Sequence, residues 1–210
     1  MEAHASRDNL QEASQRLNAM CLKAERMLHT TIDGFIRHSE KRIKQAEEIG
    51  DDIFKDEKEL TGFLVGIPGK TEEEKEQLKE LIAAVSHLHR VAEALKNMLP
   101  IVRNKIKDEI LFSNKAVEEL KSLFENTRKI LKSAGDAFLT GNPVLVKYVL
   151  EEGVRLNEVG DNYAIEHEDR LISGVCVPKA SPLYINILDC LSRVNWHTMR
   201  AVERFSSKKV

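Results

Sequence analysis

The sequence has few aromatic residues, prolines or glycines, and each scarcity removes a class of fold. Aromatic side chains make up 5% of 210 residues, with five prolines and ten glycines. Sandwiches and barrels of many short strands need frequent turn residues and aromatic or β-branched runs, so a helical chain is expected instead. No apolar run approaches the roughly 20 residues of a membrane span, and membrane insertion is not expected. Thirty-two basic residues face 34 acidic ones, a formal charge of −2. That balance leaves no electrostatic footprint for nucleic acid. The local cluster Arg37, Lys41, Arg42 and Lys44 lies among acids and reads as a solvated helix face.

Cys21, Cys176 and Cys190 are odd in number and form no CxxC pair, which suits a reducing compartment. Cys21 and Cys190 fall inside helical patterns as small core residues. The stretch Met1 to Asn9 lacks the basic-then-apolar layout of a signal peptide, and a cytoplasmic location is expected. Catalytic signatures are missing too. There is no Glu-x-x-His, no HExxH, no phosphate-cradling GxxxxGK[ST] and no GxSxG. No enzymatic activity is expected.

What the chain does contain is a repeat. Met27-Leu28…Asp33-x-Phe35 returns as Ile130-Leu131…Asp136-x-Phe138, and Leu88-x-Arg90-Val91 returns as Leu191-x-Arg193-Val194. Both pairs are 103 positions apart, whereas Glu48-Ile49-Gly50-Asp51 returns as Glu158-Val159-Gly160-Asp161 after 110. One loop has lengthened while another has shortened. A repeat of this length implies two copies of one supersecondary unit, each large enough to close its own core.

The apolar period is helical throughout. Leu10, Ala13, Leu17, Met20, Ala24, Met27, Thr31 and Phe35 mark a first helix. Ile43, Ala46, Ile49, Ile53, Leu60, Leu64 and Ile67 mark a second, stopped by Pro68-Gly69. Thr71 and Glu74 form a capping box before a third, through Leu78, Leu81, Val85, Leu88, Ala92, Leu95 and Leu99, which Pro100 is expected to kink or end. Ser113 is the expected N-cap of a fourth helix, which runs to Gly141-Asn142-Pro143. The fifth covers Pro143 to Ser173, and the sixth Ser181 to Phe205 beyond the turn Gly174–Pro178. The expected fold is all-α, two tandem three-helix bundles over residues 1–110 and 111–210.

One irregularity recurs in both copies. On a helical wheel Asp56 and Glu57 fall inside the apolar stripe of the second helix, with Asp52 at its edge, and Glu166 and His167 interrupt the fifth in the same way. An unpaired buried carboxylate costs several kcal/mol, so each must be wetted, paired or metal-bound. Asp52 and Asp56 stand one turn apart on one face, as do His89 and Glu93 on the third helix. These groups either pair with Lys or Arg across a half-exposed bundle edge or share a cation. A second reading takes Ile165-Glu166-His167-Glu168 as a phospho-accepting histidine beside an acid, in a histidine phosphotransfer or dimerisation module. His29, His38 and His87 read as surface or boundary residues, and the single Trp196 as bundle packing.

Three segments carry a family resemblance. They are Glu166-His167-x-x-Arg170-Leu171-x-x-Gly174-x-Cys176-x-Pro178-x-x-Ser181, Leu188-Asp189-x-Leu191-x-Arg193-Val194-x-x-His197, and Glu48-Ile49-Gly50-Asp51-Asp52…Asp56-Glu57-x-Glu59-Leu60. From about Ala13 to Phe205 the chain resembles the PhoU family of phosphate-uptake regulators, and more nearly the PhoU-type domain that follows the membrane part of bacterial sodium/phosphate cotransporters. The resemblance implies a non-enzymatic cytoplasmic regulator, peripheral at the inner membrane face. Its partners would be a phosphate transporter's membrane domain or a sensor kinase, or a second copy in a homodimer. It also implies a divalent or ferric metal ion held by acidic motifs. The family's Glu-Arg-Ile-Gly-Asp is matched here by His89-Arg90-Val91-Ala92-Glu93 and by Ser192-Arg193-Val194-Asn195-Trp196. A first-half metal site would therefore rest on Asp52, Asp56, His89 and Glu93, while Glu166 in the second half lacks acidic partners.

Overall fold

A computed structural model describes residues 2–206, with side chains from residue 8 onward; Met1 and the last four residues of the second unit lie outside it. The described chain is six helices: α1 (Glu2–Arg37), α2 (Glu40–Val65), α3 (Glu72–Lys107), α4 (Asn114–Thr140), α5 (Pro143–Ile172) and α6 (Ser181–Ser206). A single 3-10 turn, Pro178–Ala180, precedes α6.

Local chemistry sets the boundaries. Thr71 and Glu74 make the reciprocal capping box at the start of α3, and the Ser113 hydroxyl accepts from the Ala116 N–H at the start of α4. Asn142 caps α5, with Pro143 in its first turn. Gly141 supplies the left-handed residue that closes α4, at φ 64°, a conformation that favours glycine. Only His38 and Ser39 separate α1 from α2, and His38 is itself left-handed at φ 51°. Lys105, reaching over from α3, donates to the Phe35 carbonyl at 3.2 Å and so satisfies an orphan acceptor at the end of α1.

Two expectations change. Pro100 does not end α3, which continues to Lys107. Met98, Leu99 and Val102 are buried on either side of the proline, so tertiary packing holds the helix through the lost backbone bond. The two units also do not close separate cores. One continuous apolar cluster draws on all six helices. Helices α1, α3, α4 and α6 make a central layer, where α1 packs on α4 and α3 on α6, while α2 flanks α1 and α3, and α5 flanks α4 and α6. Each half remains a three-helix unit, but burial is shared across the seam between them.

Candidate functional site

On α2, the acids that break the apolar stripe find partners on neighbouring helices. Asp56 meets Lys23 of α1 at 2.6 Å. Glu57 accepts from the Thr61 hydroxyl at 3.0 Å and lies 3.7 Å from His89 Nδ1 on α3. His89 Nε2 is 3.5 Å from Glu93, and its ring lies against Phe54 at 4.8 Å. Asp51 binds Lys96 at 2.5 Å, and Arg103 joins Glu40 at 2.8 Å and Glu47 at 2.6 Å. The guanidinium beside it holds the Glu47 carboxyl below its usual range.

The four residues assigned to a first-half metal site are therefore divided. His89 and Glu93 stand together beside Glu57, Asp56 is turned onto an ammonium, and Asp52 is exposed. Among the described residues no group of three or more His, Cys, Asp or Glu side chains, the His89, Glu57 and Glu93 trio included, is placed to hold a metal ion. A hard or borderline cation takes four or more such donors or waters. As arranged, this donor set does not fit one.

In the second half, α5 meets α4 and α6 through a polar network. Glu119 on α4 is only 2% exposed. It takes a bidentate pair from Arg170 on α5, at 3.0 and 2.7 Å, and the Tyr184 hydroxyl of α6 donates to it at 2.5 Å. Burial and that hydrogen bond push the Tyr184 phenol up. His167 stacks on Tyr184 with ring centroids 4.5 Å apart, and its Nε2 lies 2.9 Å from the Ser181 hydroxyl. Glu166 points outward, 3.5 Å from Arg170. These positions correct the phospho-acceptor reading: His167 is 2% exposed, and its charge is disfavoured by burial and by Arg170. A phosphodonor cannot reach it.

At the seam between halves, His87 of α3 and His197 of α6 approach through their Nδ1 atoms at 3.2 Å. Trp196, expected to pack inside, is partly exposed and sits edge-on to both rings, with Arg200 over its face. Burial lowers both histidines, and His197 falls to about 4. Reasoning from the sequence missed the Glu119 network and this pair. Glu119 could have been found, since it occupies the apolar stripe between Ala116 and Leu123. Nothing in the sequence links His87 to His197.

An all-α chain of two like three-helix units around a shared core, with paired acids on its flanking helix, defines the class. The family model of the PhoU domain matches residues 17–102. The crystal structure of PhoU from Pseudomonas aeruginosa superposes with a TM-score of 0.78 at 16% identity, over 95% of this chain and 96% of that one. The phosphate transport system regulatory protein PhoU from Streptococcus pneumoniae gives 0.82 at 11% identity, over 98% of each chain. Residues 17–102 thus carry a PhoU domain, and the whole chain shares the fold of the two PhoU structures. No curated protein matches it in sequence. No described helix is long and apolar enough to cross a membrane.

Proposed function

We propose that this chain regulates phosphate transport by contact with components of the transport system, without catalysis of its own. The PhoU domain match over residues 17–102 carries the reading. The similar fold of a protein described as a phosphate transport system regulator supports it. The contacts would be made by outward helix faces, on a transporter's membrane domain or a sensor kinase, at the cytoplasmic face. The nearer likeness to cotransporter-associated domains belongs to the same proposal. The proposal needs no metal: Asp51, Asp56 and Glu47 on α2 are each matched by a lysine or arginine of a neighbouring helix.

The test is radiolabelled phosphate uptake in a bacterial host whose own regulator of this kind has been deleted, with and without this chain. Restored control of uptake in phosphate-rich medium is the expected result. Uptake that ignores the chain at matched expression would overturn the proposal.

A further inference from the structure

The two flanking helices differ in how they use their apolar and acidic residues. Helix α2 buries Ile43, Ala46, Gly50, Ile53, Leu60 and Leu64 along its length. Helix α5, four residues longer, buries only Val149, Gly153, Leu156 and His167, and nothing between Leu156 and His167 is buried. Its missing apolar residues face outward. Val154 is 52% exposed, Ile165 60% and Ile172 87%. With Glu158, Asp161 and Glu168 they stand at steps of four, three, four, three and four, which places all six on one stripe of the helix.

The acids differ as well. On α2, Asp51, Asp56, Glu40 and Glu47 are matched by bases from α1 and α3. Glu158, Asp161 and Glu168 form no salt bridge among the described residues. So α5 presents an outward stripe in which three apolar residues share the coiled-coil register with three acids that have no salt-bridge partner. Isolated exposed apolar residues are ordinary on any surface, but a register-matched stripe is not.

We infer that this outward stripe of α5 is a docking surface for a cationic amphipathic helix of a partner protein. The inference rests on the contact-based regulation proposed above and names the surface and the chemistry of what binds there. Apolar residues of the partner helix pack against Val154, Ile165 and Ile172, and Lys and Arg on the same face meet Glu158, Asp161 and Glu168 between them. A second copy of this chain would oppose acid to acid across the same register. An anionic lipid surface would be repelled.

The probe is a fluorescent synthetic helix of roughly three heptads, with Leu at the positions that face Val154, Ile165 and Ile172 and Lys or Arg at those that face the acids. Its scrambled and Glu-substituted forms serve as controls. Fluorescence anisotropy against the full chain at low salt is expected to show micromolar binding to the first form only. Glu158→Lys/Asp161→Lys and, separately, Ile165→Ser/Ile172→Ser are expected to weaken it by about tenfold or more. Glu48→Lys/Glu59→Lys, with the same charge change on α2, is expected to leave it intact. Circular dichroism confirms that each variant is folded.

Binding by the scrambled or Glu-substituted helix, equal loss in the α2 variant, or no binding up to about 100 µM overturns the inference. So does a dimer in sedimentation velocity that Glu158→Lys/Asp161→Lys disperses, or flotation of the chain with phosphatidylglycerol vesicles. The phosphate reading is scored apart, by uptake in cells carrying the same variants. Specific docking with uptake unaffected by the whole chain removes that reading alone. Normal regulation by both α5 variants removes the docking surface alone.

Discussion

Glu119 is a carboxylate almost out of reach of water, held by two guanidinium nitrogens and a phenol. Its worth lies in what remains when a partner is lost, since an abandoned buried charge costs far more than the intact pair contributes. Arg170→Ala is expected to destabilise the chain by about 3–5 kcal/mol, read from urea denaturation. Arg170→Met combined with Glu119→Leu should recover most of that loss, because an apolar replacement strands no charge. If the double variant were as unstable as the single one, geometry rather than charge would be what the network supplies. Elsewhere the chain uses individual residues for close fit: a Cβ on Gly153 would run into the Met199 side chain, so α5 can approach α6 there only because that position is bare.

At the scale of the helix, caps and stops were legible because their chemistry lies within a few residues. Thr71 with Glu74, Ser113, and Gly141 with Asn142 and Pro143 all act where their spacing predicts. Of the two outcomes open to Pro100, ending the helix is the one not taken, because Met98, Leu99 and Val102 around it are buried. The irregular acids of α2 were legible as interruptions of a stripe, yet their partners were not. Lys23 and His89 reach Asp56 and Glu57 through interhelical packing that no single helix encodes. This bears on metal. Calorimetric titration with Mn²⁺, Zn²⁺ or Mg²⁺ is expected to give the same weak heats for the native chain and for Asp52→Ala/Asp56→Ala. A saturable heat lost in the variant would mean that the helices can rearrange to bring these donors together.

For the molecule as a whole, the joint between halves carries a pH dependence. His197 is lowered from 6.5 to about 4, by burial first and then by His87 and Arg90. Burial also lowers His87, with Arg204, Arg200 and Arg90 adding to the effect while Glu203 opposes it. The unfolded chain therefore binds protons that the folded one refuses. The stability tied to these neutral rings is complete above about pH 6.5 and declines as pH falls toward 4. Thermal unfolding followed by Trp196 fluorescence should show a falling midpoint across that window. His87→Gln/His197→Gln should flatten it. A native midpoint unchanged between those limits would mean that the pair accepts protons without cost. The joint itself was beyond the sequence, because the repeat announces two like units and says nothing of which faces meet.

One contact across that joint bears on the chain's past. Glu25 and Arg128 occupy matching places in the two copies, 103 positions apart, and they bind each other at 2.6 Å. Were either copy to pair with its own twin in the same way, that spot would bring together two glutamates or two arginines. The duplicated units have thus become complementary rather than interchangeable. At that place the pairing of unlike halves sets opposite charges against each other, where a pairing of like halves would set like charges.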